Sequence, residues 1–140
     1  MIKYDRTFYY CDVLVEITLF GCDEQNKIGR RTPIITGYRP NHWFGDYHTA
    51  DSKTCKSFLM GNIELLEHEE LEPTQTGLAE VCFCSIASNI DKLKVGFEWQ
   101  MFEAPRLIGE GKVIEIWKPK YQLPNTPTAC AVPKPRQDRF

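Results

Sequence analysis

Residues 11–20 read CDVLVEITLF. Val13, Val15 and Ile17 recur every second position, which on an extended chain puts all three on one face. β-branched side chains dominate the run, and they suit a pleated, half-buried surface better than a helix. The stretch therefore predicts a strand with one face in a core. Outward from it the same signal returns. Leu78–Ala87 (LAEVCFCSIA) and Lys56–Leu66 (KSFLMGNIELL) read as strands, the second with Gly61 as a bulge position. Phe97–Phe102 (FEWQMF) alternates, with Phe97, Trp99 and Met101 on one face. Arg106–Trp117 (RLIGEGKVIEIW) reads as the last strand, with Gly109 and Gly111 permitting a bend.

Between these runs lie turn residues. Gly21–Gly29 (GCDEQNKIG) is polar, and Ala104-Pro105 predicts a tight turn. Pro33 and Pro40 forbid a continuous helix over Arg31–Pro40. Residues 45–56 lack periodicity and read as a long loop, and Asn89–Val95 reads as a connector. No internal repeat and no long helical period is present. About six short strands separated by turns predict an all-β fold, a sandwich or barrel of antiparallel strands. The domain is expected over 1–117. A Pro-rich extension follows over 118–140, carrying Pro119, Pro124, Pro127, Pro133 and Pro135.

Composition agrees with one soluble domain. The chain has 140 residues, 42% hydrophobic and 26% charged, enough for a single real core. No apolar run approaches the roughly 20 residues that span a bilayer, and Met1–Tyr10 lacks a signal-like apolar core. A cytoplasmic location and no membrane partner are expected. The net charge of −2 argues against broad electrostatic binding of nucleic acid but leaves room for a local basic patch. The six cysteines are then expected as reduced thiols, mostly small buried hydrophobes. Cys82 and Cys84 fall on one face of their strand.

The segment Gly29–Pro40 (GRRTPIITGYRP) carries a family resemblance. It resembles the GR-x-TP-x-x-x-GYRP signature of the C-terminal (third) domain of elongation factor Tu. Further similarities follow in order: Gly61–Leu65 (GNIEL), Glu70–Pro73 with Gly77, Gly96-Phe97, and Arg106–Val113 (RLIGEGKV). Together they cover roughly residues 12–116. The resemblance implies a six-stranded antiparallel barrel and a link to translation. It also implies that Arg30 and Thr32 lie in the segment that meets the tRNA backbone in the factor. No G-x-x-x-x-G-K-[ST] phosphate cradle is present, so no nucleotide is expected. About ten residues are inserted between Phe44 and Gly61 relative to the factor, and the Pro-rich extension has no counterpart there. Both are candidates for a private partner surface.

Arg30 and Arg31 suit phosphate because the guanidinium fork binds two oxygens at once; either can instead serve the fold. For Arg39 the structural role is favoured, pairing with a carboxylate such as Glu64. Trp43, Phe44 and Tyr47 sit beside the insertion, where loop aromatics tend to mark binding surfaces; the alternative is that Trp43 plugs the barrel end. His42, His48 and Cys55 match no metal-ligand spacing, and the histidines are expected to be exposed in a loop. The acidic run Glu64, Glu67, Glu69, Glu70 and Glu72 reads as a solvated turn, with a basic partner as the alternative. No nucleophile–base–orienter set or catalytic signature is present, and no cofactor is implied. The expectation is a non-catalytic macromolecule-binding module, with another protein as partner. An immunity or antitoxin protein, or a mimic of the factor's surface, would be a concrete form. The second reading is an RNA-binding module on the tRNA backbone, and an enzyme ranks last.

Overall fold

The computed structural model describes residues 7–48 and 54–123. Six strands close into an antiparallel barrel in the order β1-β6-β4-β3-β7-β8: β1 (Tyr9–Leu19), β3 (Asn41–His48), β4 (Thr54–Leu65), β6 (Thr76–Ser85), β7 (Glu98–Glu103) and β8 (Arg106–Tyr121). Two short strands, β2 (Ile34–Ile35) and β5 (Glu70–Leu71), pair with each other beside it. The strand pattern left a sandwich or a barrel open; the observed fold is the six-stranded antiparallel barrel that the resemblance implied.

Alternation decides which residues enter. Val13, Val15, Ile17 and Leu19 of β1 are fully enclosed, opposite Val81 and Ala79 of β6 and Val113 of β8. Burying each such side chain contributes roughly 1.5–3 kcal/mol. Trp99 and Met101 point inward from β7, and Phe97 packs against the same core. The interior centre is aromatic: Phe83 meets Trp99 edge-on at 5.3 Å, Phe44 at 5.0 Å and His42 at 4.8 Å. The offset edge-to-face arrangement matches the quadrupoles of the rings. Gly111 lies directly opposite Trp99, and a Cβ there would sit 2.4 Å from the indole. The glycine thus makes room for the tryptophan.

Three local expectations change. Residues 45–56 are not a loop throughout. β3 continues to His48 and β4 begins at Thr54, pairing as a hairpin (Asp46↔Lys56, Tyr47↔Cys55, His48↔Thr54). Gly45, at φ +109°, lies within the register shift that separates Trp43 from Asp46. Beyond that shift the two arms pair only with each other among the described residues. Alternation is imposed by a core face, and no barrel wall flanks the arms there to impose one. Second, β8 does not stop at Trp117. It runs through Pro119 to Tyr121, pairing Lys118 with Asp12 and Tyr121 with Tyr10 across a register shift. An irregularity at this point accommodates a residue that has no N–H to donate. The rest of the Pro-rich extension lies outside the described residues. Third, the connector after β6 contains one helical turn, α1 (Ala87–Ile90). It places Ile90 and Leu93 in the core, and Asn89 Nδ2 donates to Ser85 Oγ at 2.9 Å. Among the described residues no helix is long and apolar enough to cross a membrane.

Candidate functional site

The Gly29–Pro40 segment folds over one end of the barrel. Gly29 is left-handed (φ +80°), and a Cβ on it would lie 1.9 Å from the Gly21 carbonyl oxygen. Only glycine permits that crossing. The crossing lets Gly29 N–H donate to Leu107 O at 2.8 Å and Arg30 N–H donate to Phe20 O at 3.0 Å. Further along, Gly37 N–H donates to Ile63 O and Ile63 N–H to Tyr38 O, at 2.9 and 3.0 Å. The segment is thereby stitched to β4, to the start of β8 and to the end of β1 before any side chain is considered.

Arg30 is committed to the fold. Its Nη1 donates to Glu103 Oε2 at 2.5 Å and to Tyr38 Oη at 3.2 Å. Its Nε donates to Thr32 O, and Nη2 to Thr32 Oγ1 and Pro33 O. The guanidinium also stacks 4.9 Å from the Tyr38 ring centre. Burial, and then the neighbouring Glu103 carboxylate, push the Tyr38 hydroxyl pKa upward, so Tyr38 stays neutral. Of the two readings open for Arg30, this geometry is the structural one.

Arg31 differs. Its side chain is 73% exposed and reaches Glu24 Oε1 at 3.2 Å. Arg106 approaches the same oxygen at 3.3 Å, while its Nε and Nη2 donate to the carbonyls of Gly29 and Ile28. The Cys22 thiol donates to Glu24 Oε1 at 2.9 Å, and both arginines lie within 3.4 Å of its sulfur. The thiol hydrogen bond, then Arg106 and Arg31, hold the Glu24 carboxyl below its usual range. These residues line an open cleft of about 360 Å³ together with Gly29, Arg30, Thr32 and Glu103. Its three guanidiniums outnumber its two carboxylates. Cys22, Glu24, Glu103 and Arg106 were absent from the sequence-based candidates, although Arg106 opens the RLIGEGKV segment. Their convergence depends on contacts across 73 to 84 residues of chain, which no local pattern records.

Elsewhere the candidates separate. Arg39 Nε donates to Asn62 Oδ1 on β4. Phe44 is 7% exposed and sits between Phe83, Phe97 and Trp99, inside the barrel. Trp43, its neighbour, points the other way and lies on the outer wall rather than plugging an end. There it meets Phe102 edge-on at 6.3 Å, and Phe102 meets Phe58 at 5.8 Å. Phe58 is 45% exposed and Met60 63%. Trp43 is paired with Phe58 on one side and Gln100 on the other, so these outward residues form one uncharged, aromatic patch. The side chain of Tyr47 lies outside the described residues.

His42 corrects the expectation of exposed histidines. It is completely buried, with Nδ1 accepting from Trp99 Nε1–H at 3.0 Å and Nε2 3.0 Å from Gly61 O. An acceptor at Nδ1 requires the proton at Nε2, which then donates to the carbonyl. Burial pushes its pKa down to about 4, so the ring is neutral and both nitrogens are used. The side chains of His48 and Cys55 lie outside the described residues. Among the described residues no group of three or more His, Cys, Asp or Glu is arranged to hold a metal ion. Of the cysteines, Cys11 is buried with its pKa raised to about 11, chiefly by desolvation, whereas Cys22 is exposed.

No protein-family model matches the chain, and no curated protein matches it.

Proposed function

We propose that this chain is a non-catalytic binding module whose partner is another protein, docked on the outer wall at Trp43, Phe58 and Phe102. The observation that carries this reading is that edge-to-face aromatic cluster on the outer wall, with Phe58 and the neighbouring Met60 exposed and Trp43 and Phe102 half-buried. Large aromatic side chains on a rigid sheet supply contact area at small entropic cost, and such residues dominate the energy of protein interfaces. The resemblance of Gly29–Pro40 and Arg106–Val113 to the elongation factor Tu domain supports a partner in translation. An immunity or antitoxin protein, or a surface mimic of the factor, is the form this reading takes. The test is affinity capture from cell lysate with the native chain and with Trp43→Ala and Phe102→Ala. A protein captured by the native chain and lost from both variants is the expected result; unchanged capture would sink the reading.

The arginine cleft favours a second reading, an RNA-binding module gripping phosphate. Arg31 and Arg106 share a single carboxylate, so an incoming phosphate can replace Glu24. This reading expects retardation of tRNA at low salt, weakening steeply as salt rises. Arg31→Ala and Arg106→Ala would reduce it.

A further inference from the structure

The arginine cleft holds a nucleophile that neither reading of the function uses. Cys22 is exposed, and its sulfur accepts from Arg31 Nε at 3.4 Å and from Arg106 Nη2 at 3.3 Å. Its S–H donates to Glu24 Oε1 at 2.9 Å. The other described thiols are placed differently: Cys11 is buried, and Cys82 and Cys84 are half-buried on the outer face of β6. The charge around Cys22 is unequal. Arg30 is paired with Glu103, which leaves Arg31 and Arg106 a single carboxylate between them, Glu24. Asp23, the next carboxylate on that turn, is turned to the amides of Gln25 and Asn26 and to the Asn26 side chain. The lining therefore favours an anion, in an open space of about 360 Å³ that suits a small molecule. Arg106 is fixed there by donating to Gly29 O and Ile28 O at 2.7 and 2.8 Å. Arg31 is 73% exposed, and its fork can turn from Glu24 to an arriving carboxylate.

We propose that Cys22 is a site of reversible thiolation by small disulfides that carry carboxylates, with Arg31 and Arg106 holding the incoming anion beside the sulfur. In the step, the Cys22 sulfur gives up its proton and attacks one sulfur of the disulfide. A mixed disulfide forms, and the other half leaves as a thiolate that takes up a proton. One S–S bond forms as one breaks, so the disulfide itself is the oxidant. A second thiol reverses the step. The two guanidiniums stabilise the negative sulfur that attacks. Glu24 acts in the opposite sense: its charge opposes an anionic sulfur, and it occupies the arginines that the incoming carboxylate needs. In the product the ligand's carboxylate takes the place of Glu24 on Arg31. Because the thiol has no part in binding at the aromatic wall or in gripping phosphate, thiolation of Cys22 stands or falls apart from both.

The test is the rate at which the reduced full chain reacts with oxidised glutathione, a carboxylate-bearing disulfide, and with cystamine, an amine-bearing one. Peptide mapping by mass spectrometry reads the rate at each cysteine. In the folded chain Cys22 should take up glutathione faster than Cys82 and Cys84, and dithiothreitol should restore the starting mass. Against the same chain unfolded in urea, folding should raise the glutathione-to-cystamine ratio at Cys22 about fivefold, the effect of one charge pair in water at about 4 Å. Arg31→Glu, at an exposed position, should reverse the preference with the circular dichroism unchanged. Glu24→Gln should raise the glutathione rate, and it provides a second reading should Arg31→Glu fold poorly. A Cys22 that reacts no faster than Cys82 or Cys84, or with the ratio of the unfolded chain, overturns the proposal. So does a preference that survives Arg31→Glu, or a rate that does not rise in Glu24→Gln.

Discussion

The indole N–H of Trp99 lies 3.0 Å from Nδ1 of His42, and both residues are enclosed in the barrel. With Nε2 facing Gly61 O, the pair links β7, β3 and β4 through one neutral imidazole. The link is sensitive to pH. The folded ring titrates near 4, below the ordinary 6.5, because burial disfavours its charged form. Between those values the unfolded chain binds a proton that the folded chain does not. Stability from His42 is therefore complete above pH 6.5 and is lost as pH falls toward 4, by about 3 kcal/mol in total. Urea unfolding at a series of pH values should show this slope, and His42→Gln should remove it. A slope that persists in the variant would assign it to other groups.

Arg30 and Arg31 are adjacent in sequence and opposite in role. Arg30→Ala leaves Glu103 and Tyr38 without their shared donor in a half-buried setting, and should cost about 2–3 kcal/mol in urea denaturation. Arg31→Ala removes a solvated side chain, and its unfolding midpoint should match the native chain. If instead the two variants were equally destabilised, the fold-anchoring role of Arg30 would be wrong.

Trp43 and Phe44 divide in the same way. Phe44→Ala empties a site bounded by Phe83, Phe97 and Trp99 and should cost about 3–5 kcal/mol. Trp43→Ala should cost markedly less and act on partner capture. Thermal unfolding monitored by circular dichroism distinguishes them.

Two glycines cannot be replaced by alanine. At Gly111 a methyl collides with the Trp99 ring, a rigid obstacle in a filled core, and overpacking of this kind costs about 1–3 kcal/mol. At Gly29 a methyl meets backbone at 1.9 Å on a left-handed residue, so Gly29→Ala should be the more damaging. Expression yield of folded protein and denaturant midpoints check the order. Near-native stability of Gly29→Ala would mean that the crossing over Gly21 can relax.

The alternation in CDVLVEITLF and FEWQMF sets Val13, Val15 and Ile17, and Trp99 and Met101, on single faces that the barrel buries, because a strand with one buried face writes its period into the chain. In LAEVCFCSIA the period alone does not say which face turns inward: Val81 and Phe83 are buried, and Cys82 and Cys84, expected as buried, stand on the other face. The same physics explains what was not legible. Residues 45–56 look like a loop in the sequence because the hairpin arms, which among the described residues pair only with each other, carry no core-imposed period. Phe44 and Trp43 could not be told apart without knowing which face of β3 turns inward, since a one-residue difference reverses the side. The sharing of Glu24 by Arg31 and Arg106 and the burial of His42 were decided by tertiary structure alone. Each depends on segments distant in sequence arriving side by side, and closure of the barrel is what brings them there.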